Sequence, residues 1–183
     1  VKIENRMALL PMLHIGCGGS RVEGFVNIDC RRTVATDMVA AAWDLAVFDA
    51  GSVGYIYSRH MLEHLSCMDA ARALAEWRRV LAVDGILHIV VPDLDFHARQ
   101  LLGLARSGNA DQEAHALAGF YGWQRDMEHD VHRWGYTSTS LARLLGEHGF
   151  ALTVDGIPVL LDRDTAPWHI NMRAKPTAAR EVA

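Results

Sequence analysis

Apolar residues along this chain fall into short runs broken by polar turns, with stretches of helical spacing between them. "MLHIG" (Met12 to Gly16) and "GFVNID" (Gly24 to Asp29) read as two short strands. Met38 to Ala40, within "TDMVAAAWDLAVF", reads as a third, followed by a loop from Asp44. "VGYIYSRH" (Val53 to His60) is rich in β-branched and aromatic residues and predicts a fourth. Ser66, with Asp69 three residues on, then opens a helix whose apolar stripe runs through Ala71, Leu74, Trp77 or Arg78, and Leu81. Asp84-Gly85 is the expected stop. "ILHIVVP" (Ile86 to Pro92) is almost wholly apolar, as a central parallel strand buried on both faces would be. Asp93 caps the next expected helix, which runs to about Arg106 and ends at Ser107-Gly108. Residues 109–135 read as partly helical. Thr137 or Ser138 caps a helix carrying Leu141, Leu144 and Leu145 that ends at Gly149. "FALTVDGIPVLL" and "PWHINMRAKP" give two late strands. Strands alternating with helices predict an α/β fold around a mostly parallel sheet, in which ligands bind at the carboxyl ends of the strands.

Composition narrows this. The 183 residues are half hydrophobic, which suits one globular domain over residues 1–183 and not a disordered chain. The formal net charge is −4 and no lysine/arginine block occurs, so no nucleic-acid partner is expected; Arg78-Arg79 reads as a solvated helix face. Cys17, Cys30 and Cys67 form no CxxC pair, which points to free thiols in a reducing compartment. No apolar run approaches the roughly 20 residues of a membrane span. "VKIENRMALLPML" lacks the long apolar core and cleavage site of a signal peptide. The expected location is the cytoplasm.

The chemistry starts at "LHIGCGGSRVEGFVNID" (Leu13 to Asp29). Gly16 and Gly18 let the chain turn sharply after the first strand and leave room for a ligand against the backbone. A tight strand exit without a ligand would use the same residues. The dinucleotide fingerprint needs a third glycine where Arg21 stands, and it opens a long helix. The connector from Gly18 to Phe25 is too short for one. A nicotinamide cofactor is therefore disfavoured. Asp29, at the end of the second strand, is placed to accept hydrogen bonds from both hydroxyls of a ribose, or it is a solvated loop acid. Asp44-Leu45 is placed either to hold an adenine by backbone contacts and an apolar wall, or to form an Asx-type turn.

"LHIGCG", "GFVNID", "WDLAVF", "YIYSRHMLEHL", "EWRRVLAVDGILHIVVPD" and "HRWGYTSTSLARLLGEHGF" occur in an order and spacing that resemble class I S-adenosylmethionine-dependent methyltransferases. More narrowly, they resemble the small bacterial methyltransferase-11-like group, over about residues 12–150. The resemblance implies a three-layer Rossmann-like fold with a seven-stranded, mostly parallel sheet whose last strand is antiparallel. It implies that Gly16, Cys17 and Gly18, with His14 beside them, wrap the amino-acid part of S-adenosyl-L-methionine. Asp29 would match the ribose-binding acid and Asp44-Leu45 the adenine loop. Ser58, Arg59 and His60 would line the cofactor at the end of the fourth strand. There are departures: the connector between the first two strands is short, and the usual turn before the fifth strand reads Val83-Asp84-Gly85. The chain also begins almost at its first strand, so N-terminal lid helices are expected to be missing or reduced.

An alcohol acceptor needs a base, and histidine titrates near neutrality. His60, His64, His129 and His132 are candidates, and His64 and His132 are assigned the catalytic role. His60 and His64 are four apart and share a face if the stretch is helical; Glu63 would then point elsewhere. A metal would need a third ligand, and no metal site is assigned. "FYGWQRDMEHDVHRWGY" (Phe120 to Tyr136) mixes aromatics, arginines and histidines, which suits a sugar or another polar ring. The resemblance makes residues 109–136 an insertion shaping the acceptor pocket, with Asp93, Tyr121, Trp123, His129 and Trp134 as substrate contacts. The reading is a methyltransferase acting on a small molecule or glycan, by O-methylation. The alternatives are a non-catalytic binding module of the same fold and, less favoured, a nicotinamide-dependent oxidoreductase.

Overall fold

A computed structural model of the chain describes residues 10–126, 128–153 and 162–178. The strands β1 (Met12–Ile15), β2 (Val26–Asp29), β3 (Met38–Val39), β4 (Val53–Arg59) and β5 (Leu81–Pro92) pair in parallel. β7 (His169–Pro176) runs antiparallel to both β5 and β6 (Phe150–Leu152). The seven strands lie in the order β3-β2-β1-β4-β5-β7-β6. Helices α1 (Cys67–Val80), α2 (Leu94–Leu101), α3 (Gln112–Tyr121) and α4 (Ser138–Glu147) flank this sheet, with 3-10 turns at Leu62–His64 and Asp162–Thr165. This is the expected Rossmann-like sheet with an antiparallel β7.

Alternation along the strands sorts the core into two faces. Leu13, Ile15, Ile56, Leu87 and Ile89 point one way and pack with Ala70, Leu74 and Trp77 of α1 and Leu141 and Leu145 of α4. Tyr57 and Val90 point the other way, onto Val22 and Phe25 of the connector between β1 and β2. That connector contains no helix, as its length requires.

Several boundaries differ from expectation. α1 ends at Val80, not at Asp84-Gly85, because Leu81 already pairs with Val53 in the sheet. Tyr55 pairs next with Ile86, so Ala82 to Gly85 bulge out between two paired positions. The buried stripe of α1 is Ala70, Ala73, Leu74, Trp77 and Val80, turned slightly from the expected one. α2 stops at Leu101, well short of Arg106. Of "FALTVDGIPVLL", Phe150–Leu152 is strand, and residues 154–161 lie outside the described residues.

The neighbours of β1 are β2 on one side and β4 on the other, so the strand order reverses there. Ile15, Asp29 and Arg59 end their strands around that reversal, where an open α/β sheet leaves a crevice.

Candidate active site

A cavity of about 530 Å³ occupies the crevice, within the usual range for small-ligand sites. Its floor is Gly16 and Gly18 after β1 and Asp29 at the end of β2. Ala40 to Trp43, after β3, form an apolar wall, and His60, Met61 and His64, after β4, close the far side. Gly16 sits at φ 76°, and a Cβ there would stand 2.1 Å from Met61 Cγ, so only glycine fits. Gly18 sits at φ 52°, and a Cβ there would meet nothing within 4 Å, which leaves that side of the turn open to a ligand. The Gly18 N–H donates to Asp29 Oδ2 at 2.8 Å and the Arg31 N–H donates to Oδ1 at 3.0 Å. Asp29 therefore ties the glycine turn to the end of β2 while its carboxylate, with lone pairs to spare, borders the cavity.

Several residues expected at the cofactor lie elsewhere. His14 points to the opposite face of β1, where its Nδ1 is 3.0 Å from Asn27 Oδ1. Cys17 is buried beneath the turn, its Sγ 3.8 Å from Thr36 Oγ1. Ser58 is fully buried, and its Oγ has no hydrogen-bond partner among the described residues. Arg59 is turned away from the cavity, its Nε donating to Asp164 Oδ1 at 2.9 Å. Leu45 is fully buried in the core and Asp44 is an exposed turn residue whose N–H donates to the Ala41 carbonyl at 3.0 Å. β3 ends at Val39, so the chain crosses the cavity at Ala40 to Trp43, before it reaches Asp44. The usable signal for that wall was the carboxyl end of a strand, which is where such sheets place ligands.

A second cavity of about 550 Å³ shares His60, His64 and Asp130 with the first. His97, His115, Trp123, His132, Trp168 and His169 border it. Among the expected acceptor contacts, Trp123 is here, whereas His129 borders the first cavity. Tyr121 and Trp134 are exposed and border neither. Asp93 caps α2, its side chain accepting from the Asp95 N–H at 3.0 Å. Trp168 and His169 come from the segment entering β7, far along the chain, and no local pattern announced them. Burial pushes His97 down to about 4 and lowers His115 and His132 as well, so these rings are neutral near pH 7.

Glu63 borders neither cavity but is buried beside His60, which borders both, and His132, which borders the second. The stretch after β4 is not an α-helix: His60 adopts a left-handed φ of 49° and Leu62–His64 is a 3-10 turn. That geometry turns Glu63 inward, contrary to the helical expectation. Its carboxylate is 1% exposed, with Oε1 3.2 Å from His60 Nδ1 and 4.0 Å from His132 Nε2. Neither oxygen accepts an aligned hydrogen bond among the described residues. Burial alone would raise its pKa, but His60, His64 and His132 outweigh it and hold the carboxyl below its ordinary value. The rings of His64 and His132 meet edge to face with centroids 4.9 Å apart. Nδ1 of His64 is 3.1 Å from the Val131 carbonyl, and Nδ1 of His132 is 3.0 Å from the Gly119 carbonyl. A carbonyl only accepts, so each Nδ1 carries a proton, and the neutral form of each ring presents its lone pair at Nε2.

Residues 13–154 match the family model described as a methyltransferase domain. No curated protein sequence matches the chain. Among solved structures, a Pyrococcus horikoshii OT3 protein superposes with a TM-score of 0.60 at 16% identity, covering 91% of this chain and 82% of its own. A SAM-dependent methyltransferase from Methanosarcina mazei gives 0.57 at 15% identity, covering 92% and 93%. The Burkholderia thailandensis 1,6-didemethyltoxoflavin-N1-methyltransferase, with 1,6-didemethyltoxoflavin and S-adenosylhomocysteine bound, gives 0.56 at 15% identity, covering 96% and 78%. At those identities the likeness is one of fold, and the match over residues 13–154 carries the family. With the glycine turn and the crevice at the strand reversal beside it, the chain belongs to the methyltransferase-domain family, as a class I enzyme whose cofactor is S-adenosylmethionine.

Proposed function

We propose that the protein methylates a hydroxyl of a small molecule or glycan. The observation that carries this is the pair of cavities sharing His60, His64 and Asp130 as a common wall. Such an arrangement suits a donor on one side and an acceptor on the other. The first cavity fits the cofactor. The open backbone face of Gly18 suits the amino-acid part, Asp29 suits the ribose hydroxyls, and Ala40 to Trp43 suit the adenine. Direct contact is accordingly assigned to Gly16, Gly18, Asp29 and His60. His14, Cys17, Ser58, Asp44 and Leu45 lie outside the first cavity, and Arg59 borders the second.

S-adenosylmethionine supplies a methyl group already activated by its sulfonium. The chain's part is to align the acceptor, exclude water and manage the hydroxyl proton. Trp123, Trp168 and the neutral rings of His97 and His115 offer flat, weakly polar faces of the kind that hold a sugar. His64, on the shared wall, and His132, at the second cavity, are assigned the proton. The 109–136 segment is thus read as the acceptor insertion, since it contributes His115, Trp123 and His132. A net charge of −4 favours such an acceptor over a nucleic acid, and three free cysteines favour the cytoplasm. Among the described residues no helix is long and apolar enough to cross a membrane.

Calorimetric titration with S-adenosylmethionine, S-adenosylhomocysteine and NAD is the test. One-site binding of the first two and none of NAD is expected, followed by methyl transfer in a screen of acceptors that begins with sugars. Saturable NAD binding in place of the adenosyl ligands would overturn the reading. Adenosyl binding with no transfer to any hydroxyl acceptor would leave a binding module of the same fold.

A further inference from the structure

We propose that Glu63, His64 and His132 form a binding site for a divalent transition-metal ion of the zinc class, set beside the two cavities. One ligand atom from each of the three lies within 4.8 Å of the others. The chemistry of those atoms is the stronger argument. With both Nδ1–H groups donating to backbone carbonyls, the neutral rings offer their lone pairs at Nε2, and that of His132 lies 4.0 Å from the Glu63 carboxylate. Acceptors gathered in a buried place repel one another unless something positive joins them. A histidine that ligates a metal normally donates its other N–H to a carbonyl or carboxylate, and both rings here do so. The carboxylate is 1% exposed, and its Oε2 has no hydrogen-bond partner among the described residues, which is the state of a ligand oxygen held for an ion. On its other side His60 Nδ1, 3.2 Å away, fixes its orientation. Ligands on one tetrahedral ion with bonds of about 2.1 Å stand about 3.4 Å apart, so the pair at 4.0 Å closes by about 0.6 Å and the widest spacing, at most 4.8 Å, by no more than about 1.4 Å, which side-chain rotation covers. Two imidazoles and one carboxylate suit zinc, cobalt or ferrous iron, not magnesium or calcium.

Three protein ligands leave a coordination position open. His64 borders both cavities and His132 the second, so an acceptor oxygen has access to that position. An acceptor hydroxyl bound there loses its proton to solvent, because the ion lowers its pKa. The oxygen then bonds to the methyl carbon as the carbon–sulfur bond breaks, and the neutral thioether leaves. In that case His64 and His132 serve the proton transfer as ligands and not by taking the proton themselves. This service rests on the proposed reaction, whereas the site does not.

The chelator-stripped full chain is titrated with Zn²⁺ against a chromogenic chelator, and with Co²⁺ followed by visible absorption. One tight equivalent and ligand-field bands are expected. Glu63→Gln and His132→Asn should each weaken Zn²⁺ binding by more than about 100-fold, since even outer partners of a metal site are worth 10- to 100-fold. His115→Asn, at the neighbouring His97–His115 pair, should change it by less than about twofold. If Glu63→Gln does not fold, His64→Asn takes its place. Wild-type binding no tighter than that of the ligand variants overturns the site, and so does loss confined to His115→Asn. S-adenosylhomocysteine is titrated in parallel. Its failure to bind, with the zinc results intact, counts against the proposed reaction and leaves the metal site standing.

Discussion

Asp29 accepts the Gly18 N–H at 2.8 Å and the Arg31 N–H at 3.0 Å, and the same carboxylate borders the first cavity, where the cofactor is proposed to bind. Hydrogen bonds to a charged acceptor are worth about 1.5–3 kcal/mol each. Asp29→Ala is therefore expected to weaken S-adenosylhomocysteine binding by about 100-fold and to lower the unfolding temperature by about 5 °C. Asp29→Asn keeps one acceptor for the turn, so it should recover most of the stability and little of the affinity. Calorimetric titration and thermal unfolding of both variants decide this, and unchanged affinity in Asp29→Ala would remove the ribose assignment. The position of Asp29 was legible because a strand end and a glycine turn fix it locally. Glu63 was not legible. Its direction depends on the left-handed φ of 49° at His60 and on a 3-10 turn, and periodicity sees neither.

Among the elements, α4 shows how a helix start is fixed by its cap. Thr137 Oγ1 accepts the Ser140 N–H at 3.2 Å, and Ser140 Oγ accepts the Thr137 N–H at 2.9 Å. The sequence allowed Thr137 or Ser138 at this place, and the reciprocal pair selects Thr137. Thr137→Ala should cost about 1 kcal/mol. Thr139→Ala, exposed within the same first turn, should stay within about 0.5 kcal/mol. Urea unfolding of both checks the cap, and equal losses would refute it. Starts were readable in this way at Ser66, Asp93 and Thr137, because a capping side chain acts on its own neighbours. Ends were not. α1 stops at Val80 because Leu81 joins β4, a contact across the sheet that outranks the local stop signal at Asp84-Gly85. A Cβ at Gly85 would meet the Ala82 carbonyl oxygen at 2.9 Å, so that glycine serves the bulge in β5 and not a helix terminus.

The two faces of the sheet differ in a way that reaches the whole molecule. One is apolar against α1 and α4. The other buries His14, Asn27, Tyr57, His88 and Asp164, joined in part by the bonds from the Tyr57 hydroxyl to Asp164 at 2.8 Å and between His88 Nε2 and Asn171 at 2.8 Å. Alternation announced two buried faces in "ILHIVVP", but it did not announce that one would be polar, because the partners come from the far end of the chain. Burial pushes His88 and His97 down to about 4, from an ordinary 6.5, and lowers His14, His115 and His132 too. Between those values the unfolded chain takes up protons that the folded chain refuses, so stability is lost as pH falls below about 6.5. The loss from His88 and His97 levels off near pH 4. Each contributes about 2 kcal/mol of that loss by pH 5, a large share of the roughly 5–15 kcal/mol of a typical domain. Glu63, held below its ordinary carboxylate value, adds in the same direction at lower pH, its contribution being lost as it protonates. Urea unfolding between pH 7.5 and pH 5 should therefore show stability falling by at least about 4 kcal/mol. His97→Gln should flatten that slope by about 2 kcal/mol whatever it does to stability at pH 7.5, since packing loss shifts the curve and only the missing titration changes its steepness. A slope that is flat in the wild type, or the same in both proteins, would mean that His97 takes up its proton as readily in the folded as in the unfolded chain, so that the wall of the second cavity gains charge as pH falls through about 6.5.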